Sequence, residues 1–143
     1  MSTRGCVAQG TPKRWKGVYN HSDSYPTGLG AEVWDMLRSG KEYENIAREI
    51  GETIKLSSDF SDPLFIEWVY IVGREHLYVL SHQGFIKRGP VLLRPVCLSS
   101  GWWDYGHCAY RHVLLGRFPL GGPEPDWEML ERLGTTRAGE WAE

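Results

Sequence analysis

No run of this chain approaches the roughly 20 apolar residues that a membrane-spanning helix needs. The opening Met-Ser-Thr-Arg-Gly has no apolar signal core. Cysteine is scarce: Cys6, Cys97 and Cys108 are three, an odd number, and none shares a CxxC spacing. Reduced thiols are therefore expected, with Cys6 buried on a strand, in a cytoplasmic, reducing compartment. Basic excess is missing too. A net charge of −2 and a pI near 6.2 leave no overall cationic face for duplex DNA. The small clusters Lys13, Arg14, Lys16 and Lys87, Arg88 read as solvated loop charges. Neither a P-loop nor a glycine-rich dinucleotide fingerprint occurs, and no segment repeats. His21, His82, His107 and His112 lack the compact spacing of helical ligand pairs. With Asp23 and scattered thiols they give no recognisable metal site, so neither metal nor cofactor is expected.

What the chain does have is aromatic bulk. Seven Trp, seven Tyr and four Phe can supply a sizeable core in 143 residues. That length fits a single domain, taken as residues 1–134, with a frayed tail over 135–143. Residues 5–9 and 15–20 read as the strands of an N-terminal hairpin around a polar turn. Leu29, Val33, Trp34 and Leu37 form one apolar stripe, which predicts a helix over 29–39 stopped by Gly40. Tyr43, Ile46, Ala47 and Ile50 form a cleaner stripe, closed by Gly51. Residues 67–72 and 77–82 are β-rich and apolar on both faces, which predicts a central hairpin with Trp68 and Tyr70 in the core alongside Trp34. Pro90 and Pro95 limit regular ladders over 85–96, and 99–107 reads as a loop. A further strand is expected at 108–115 and a last helix from Pro125 to Gly134. Hairpins with helices inserted as a block imply an α+β fold, an antiparallel sheet with helices packed mainly on one face.

The densest run of hydrogen-bonding groups is 20–30, between a strand and a helix. Helix-start N–H groups favour anions, and Thr27, Gly28 and Gly30 allow close approach to that backbone. His21 and Asp23 are two apart, so a continuing strand would place them on one face. The plainer alternative makes Asp23 and Ser24 an Asx-turn stiffened by Pro26, with Thr27 as a helix cap.

The start Thr3-Arg4-Gly5, followed by Tyr19-Asn20-His21-Ser22-Asp23-Ser24-Tyr25-Pro26-Thr27-Gly28-Leu29-Gly30, resembles a family of short bacterial and phage proteins of uncharacterised activity. Those open with Met-Gly-Thr-Arg and carry a Tyr-x-His/Gln-x-Asp-Gly-Tyr-Pro-x-Gly motif before a helix. The likeness covers roughly the first quarter of the chain, and Ser2 and Ser24 stand where the family has glycine. It implies a site at Arg4, His21, Asp23, Tyr25 and Gly28, in a bacterial cell or a phage-infected host. No activity comes with it.

Three functions follow as expectations. The first is a binding protein for a small anionic ligand, a nucleotide or nucleotide-derived signal, with a phage protein that sequesters a host defence signal as one concrete form. Arg4 would contact phosphate, Asn20, His21, Asp23, Tyr25, Thr27 and Gly28 would complete the site, and Tyr25 or a loop Trp would stack. The second is a small hydrolase-type enzyme with His21 as general acid or base and Asp23 orienting it. The third is a protein–protein interaction module. Trp102, Trp103 and Tyr105 either lid a pocket or pack on the sheet. Ser2, exposed after Met removal, matches the chemistry of N-terminal nucleophiles, but the related pattern has Gly there.

Overall fold

The chain's first strand is apolar on both faces, and that decides where it sits. In the computed structural model, which describes residues 3–50, 54–57, 66–81, 86–88, 91–93 and 113–135, Cys6, Val7 and Ala8 are all fully buried. They lie in strand β1 (Gly5–Thr11), which pairs antiparallel with β2 (Arg14–Asn20) from Gly5 opposite Asn20 to Thr11 opposite Arg14. Gly10 has φ 139, and a Cβ there would sit 2.3 Å from the Arg14 carbonyl oxygen, so this turn requires glycine.

A π-helical turn, Pro26–Gly30, then runs into α1 (Ala31–Arg38), and α2 (Tyr43–Ile50) follows. The remaining elements are β3 (Lys55–Ser57), β4 (Trp68–Val72), β5 (His76–Ser81), β6 (Ile86–Arg88), β7 (Val91–Leu93), β8 (Val113–Pro119) and α3 (Trp127–Thr135). Six strands form one sheet in the order β3-β2-β1-β4-β5-β8, and β6 with β7 forms a separate ribbon on either side of Pro90.

The fold is α+β, but the expectation of a purely antiparallel sheet is corrected. β1 and β4 pair in parallel, from Gly5 opposite Trp68 to Gln9 opposite Val72. β3 runs antiparallel to β2, hence in the direction of β1 and of β4. The sheet is therefore mixed. An interior strand carries apolar residues on both faces whichever way its neighbours run, so the local pattern could not reveal this direction.

Strand alternation places Val7, Val18, Trp68, Tyr70, Val72, Leu77 and Val79 on one face. Val33, Trp34 and Met36 of α1, Ile46 of α2, and Trp127 and Leu130 of α3 join those strand residues in one core cluster. Trp34 and Trp127 meet edge to face at 6.3 Å between ring centroids. Cys6, Ala8, Trp15, Tyr19, Val69, Ile71 and Leu80 point to the opposite face and cluster with Leu56 and Ile66. Cys6 is buried and not in a disulfide, as its strand position implied.

Element boundaries moved, and one strand was not expected. The helix expected over 29–39 starts at Ala31, because the π-helical turn occupies the residues before it. The strand expected over 108–115 is described as β8, Val113–Pro119, and β3 is a strand too short for a sequence pattern to announce. Expectations for Ser2, His82, Cys97, Trp102, Trp103, Tyr105, His107, Cys108, His112 and the last eight residues, 136–143, fall outside the described residues. No helix among the described residues is long and apolar enough to cross a membrane.

Candidate functional site

The segment between β2 and α1 is folded onto the start of β1. The Ser24 backbone N–H donates to the Thr3 carbonyl at 3.3 Å, and the Tyr70 hydroxyl donates to the Ser24 carbonyl at 2.6 Å. Ser24 is fully buried there, 2.5 Å from where a Cβ on Gly5 would lie. Gly5 is thus the residue that lets the segment close over the strand. Asn20 Nδ2 donates to the Ser22 carbonyl and to Ser24 Oγ, both at 2.7 Å. Ser24 Oγ in turn donates to the Asn20 carbonyl at 3.3 Å.

Asp23 adopts φ 54, a left-handed conformation that Asp tolerates better than most residues. It is the described non-glycine residue with positive φ, whereas Ser24 needs no such freedom. The Asp23 carbonyl accepts from the Leu29 N–H at 3.1 Å, and Asp23 Oδ1 accepts from the Tyr25 hydroxyl at 3.2 Å. The Asp23 carboxylate, by its charge and this bond, raises the Tyr25 pKa. The phenol is held neutral rather than activated.

His21 goes elsewhere. Its Nδ1 lies 2.9 Å from the Tyr19 hydroxyl, with the two rings edge-on at 5.9 Å. Among the described residues no hydrogen bond or ion pair joins His21 to Asp23. The reason is local: β2 ends at Asn20, and the left-handed turn at Asp23 breaks the alternation that would have aligned the two side chains.

The anion position at the helix start is filled from within. Thr27 Oγ1 donates to Glu131 Oε1 at 2.7 Å, and the Thr27 N–H approaches the same oxygen at 3.3 Å. A carboxylate of α3 therefore sits where an anionic ligand was expected. Gly28 is close-packed, since a Cβ there would meet the Asp23 carbonyl oxygen at 2.7 Å. Arg4 is half-buried, and its backbone is fixed: its N–H donates to Glu67 Oε2 at 3.2 Å and its carbonyl accepts from the Glu67 N–H at 2.9 Å. Asn20, Asp23, Tyr25 and Thr27 thus engage their polar groups inside the protein, but Thr27 is not the expected helix cap: Tyr25 and Gly30 hold the N-cap positions without a side-chain cap hydrogen bond, because the Thr27 hydroxyl donates to Glu131 instead.

A second concavity carries a different charge pattern. A groove of about 680 Å³ lies between α2 and the β1–β2–β3 side of the sheet, within the size range of small-molecule sites. Arg14 and Lys16 of β2, Lys55 of β3 and Arg48 of α2 line it, with Glu44 of α2 as its single carboxylate. Alternation points Arg14, Lys16 and Val18 to one face, and Lys55 pairs with Val18 in register. All four cations are exposed, and among the described residues none makes an ion pair with a carboxylate. Arg48 Nη1 instead donates to Asn45 Oδ1 at 3.2 Å. The Tyr43 hydroxyl donates to the Val7 carbonyl at 3.0 Å, tying α2 to β1. Burial first, then the nearby Cys6 and Glu44, pushes this phenol well above its usual range, so it stays a donor.

The sequence reading treated Arg14 and Lys16 as loop charges; the structure places both in β2. The groove was missed because its cations come from three elements, and its one visible signal was the alternation of Arg14 and Lys16 with buried Trp15 and Gly17. A smaller hollow of about 450 Å³ beside the β4–β5 turn sets Arg74 next to Glu75 and has no comparable excess. Among the described residues no group of three His, Cys, Asp or Glu could hold a metal ion. Comparison with protein-family models, curated proteins and solved structures finds no match for this chain.

Proposed function

We propose that this protein binds a small anionic ligand, a nucleotide or nucleotide-derived signal, in the groove between α2 and the β2–β3 edge. The observation that carries the reading is the set of four cations around one concavity, Arg14, Lys16, Arg48 and Lys55, none of which has a partnering carboxylate among the described residues. Like charges gathered at one place repel one another, and a multiply charged anion relieves that repulsion while gaining charge-assisted hydrogen bonds. Arginine at two positions suits phosphate oxygens, which match its planar fork. Sequestering a signal, as in the phage version of this idea, needs nothing more than binding.

In this reading the 20–30 segment and Arg4 form the scaffold rather than the site. Glu131 already occupies the helix start that would have received the ligand.

The test is titration calorimetry with ATP as probe, on the wild-type chain and on Arg14→Glu and Lys55→Glu. Each reversal should weaken binding at least about ten-fold, equivalent to ~1.4 kcal/mol, and affinity should fall as salt rises. Affinity that ignores both reversals would remove the groove from consideration. A matching loss with Arg4→Ala instead would return the site to the 20–30 segment.

A further inference from the structure

We infer that Glu44 is the specificity-determining residue of this groove, selecting a phosphate ester that carries hydroxyl groups, a nucleotide or a sugar phosphate, over a bare inorganic polyphosphate. The inference rests on the groove reading above and concerns what that groove prefers.

Glu44 lines the same concavity as the four cations. It also stands four residues before Arg48 on α2, the order in which a glutamate and a cation pair best on a helix. That pair is not made. Arg48 turns to Asn45, and among the described residues Glu44 has no hydrogen bond or ion pair. An unpartnered carboxylate in a cationic groove has two consequences for an incoming anion. It repels phosphate oxygens, which lack a proton to share. It also offers acceptor oxygens to any ligand O–H, because an ionised carboxylate accepts and never donates. A bare polyphosphate meets only the first effect. A phosphate ester with vicinal hydroxyls meets both, and its hydroxyls convert a repulsive neighbour into a hydrogen-bonding one.

No other described lining group both repels phosphate and accepts from a hydroxyl: the Gln9 amide oxygen accepts but carries no charge. The Tyr43 hydroxyl, which donates to the Val7 carbonyl, is likewise uncharged and does not repel phosphate. Arg14, Lys16, Arg48 and Lys55 are donors only, so they hold phosphate and cannot accept from a hydroxyl. Val18 and Ala47 offer only apolar surface. Cationic charge therefore sets affinity in the groove, and its one anionic acceptor sets the choice among anions.

Calorimetry with three probes of related charge tests this: tripolyphosphate, ATP and fructose 1,6-bisphosphate. The wild-type chain should bind at least one of the two esters about ten-fold more tightly than tripolyphosphate, and which ester wins separates a nucleotide from a sugar-phosphate ligand. Glu44→Ala should weaken the preferred ester about ten-fold and tighten tripolyphosphate several-fold, so that the preference collapses. Glu44→Gln should relieve the repulsion yet keep much of the ester affinity, because its amide oxygen still accepts. The isosteric Gln variant also keeps the test open if the Ala variant folds poorly, with thermal melting as the check on folding. If Glu44→Ala tightens all three probes alike, or leaves their ratios unchanged, this inference is overturned while the groove reading stands. Absence of binding by all three to the wild-type chain would bring down both.

Discussion

Ser24 shows how much one buried small residue can organise. Its side chain is enclosed against Gly5, its N–H reaches Thr3, and its carbonyl accepts the Tyr70 hydroxyl from the middle of the sheet. Tyr70 is itself fully buried, and burial first, with the Glu131 charge adding, pushes its pKa well above the ordinary 10.0. Replacing it by Phe removes a donor and strands a buried carbonyl, a loss of about 1–3 kcal/mol. The same group predicts the alkaline behaviour. Unfolded tyrosine loses its proton near pH 10, whereas the folded group keeps it, so the unfolded state holds fewer protons above that pH. The stability Tyr70 contributes is thus complete below pH 10 and is lost as pH rises through the higher folded value. Denaturant melts from pH 8 upward should show a flat wild-type curve that falls beyond pH 10, and a shallower fall in Tyr70→Phe. Parallel curves for the two chains would contradict the assignment.

Among the elements, α3 acts as a clasp. Its inner side buries Trp127 and Leu130 in the core, and its Glu131 closes onto Thr27 at the head of the π-helical turn. Because the contact is exposed, Glu131→Ala should cost only about 1 kcal/mol globally. Its local effect should be larger: amide exchange at Thr27 should accelerate in the Ala variant and much less in Glu131→Gln, which retains an acceptor. Equal exchange in all three chains would show that the clasp holds nothing. This pairing spans 104 residues, so nothing near Thr27 could announce it. What sequence did announce were features with a period. The stripe Tyr43, Ile46, Ala47 and Ile50 defines α2, and all four residues join the core. The β1–β2 hairpin and the two-sided apolar run of β4 were equally legible, because burial imposes those patterns residue by residue. The candidate site was less so. The 20–30 segment was visible as a dense polar run, but composition cannot distinguish groups that bond one another from groups that await a ligand. The groove draws on Arg14, Arg48 and Lys55, and only the folded chain makes neighbours of them.

For the molecule as a whole, the mixed sheet means that β1 has one partner nearby in sequence and one far away. Gly5 faces Asn20 on one side and Trp68 on the other. The first pairing closes through a tight turn; the second must wait for the helices and β3 to be placed, and closing a loop of that length costs entropy before any contact repays it. Assembly should therefore be ordered in time. In pulse-labelled exchange during refolding, amides bonded between β1 and β2 should gain protection before those bonded between β1 and β4. Simultaneous protection of both ladders would mean that the sheet condenses in one step. The same asymmetry bears on synthesis at the ribosome, where the first strand emerges long before the fourth. Until then one side of the hairpin is an unsatisfied edge, a template for pairing with a neighbouring nascent chain. A strand that ends up in the interior of the finished sheet thus begins as its most adhesive part, and the window of exposure is set by how quickly the chain between Asn20 and Trp68 can be delivered.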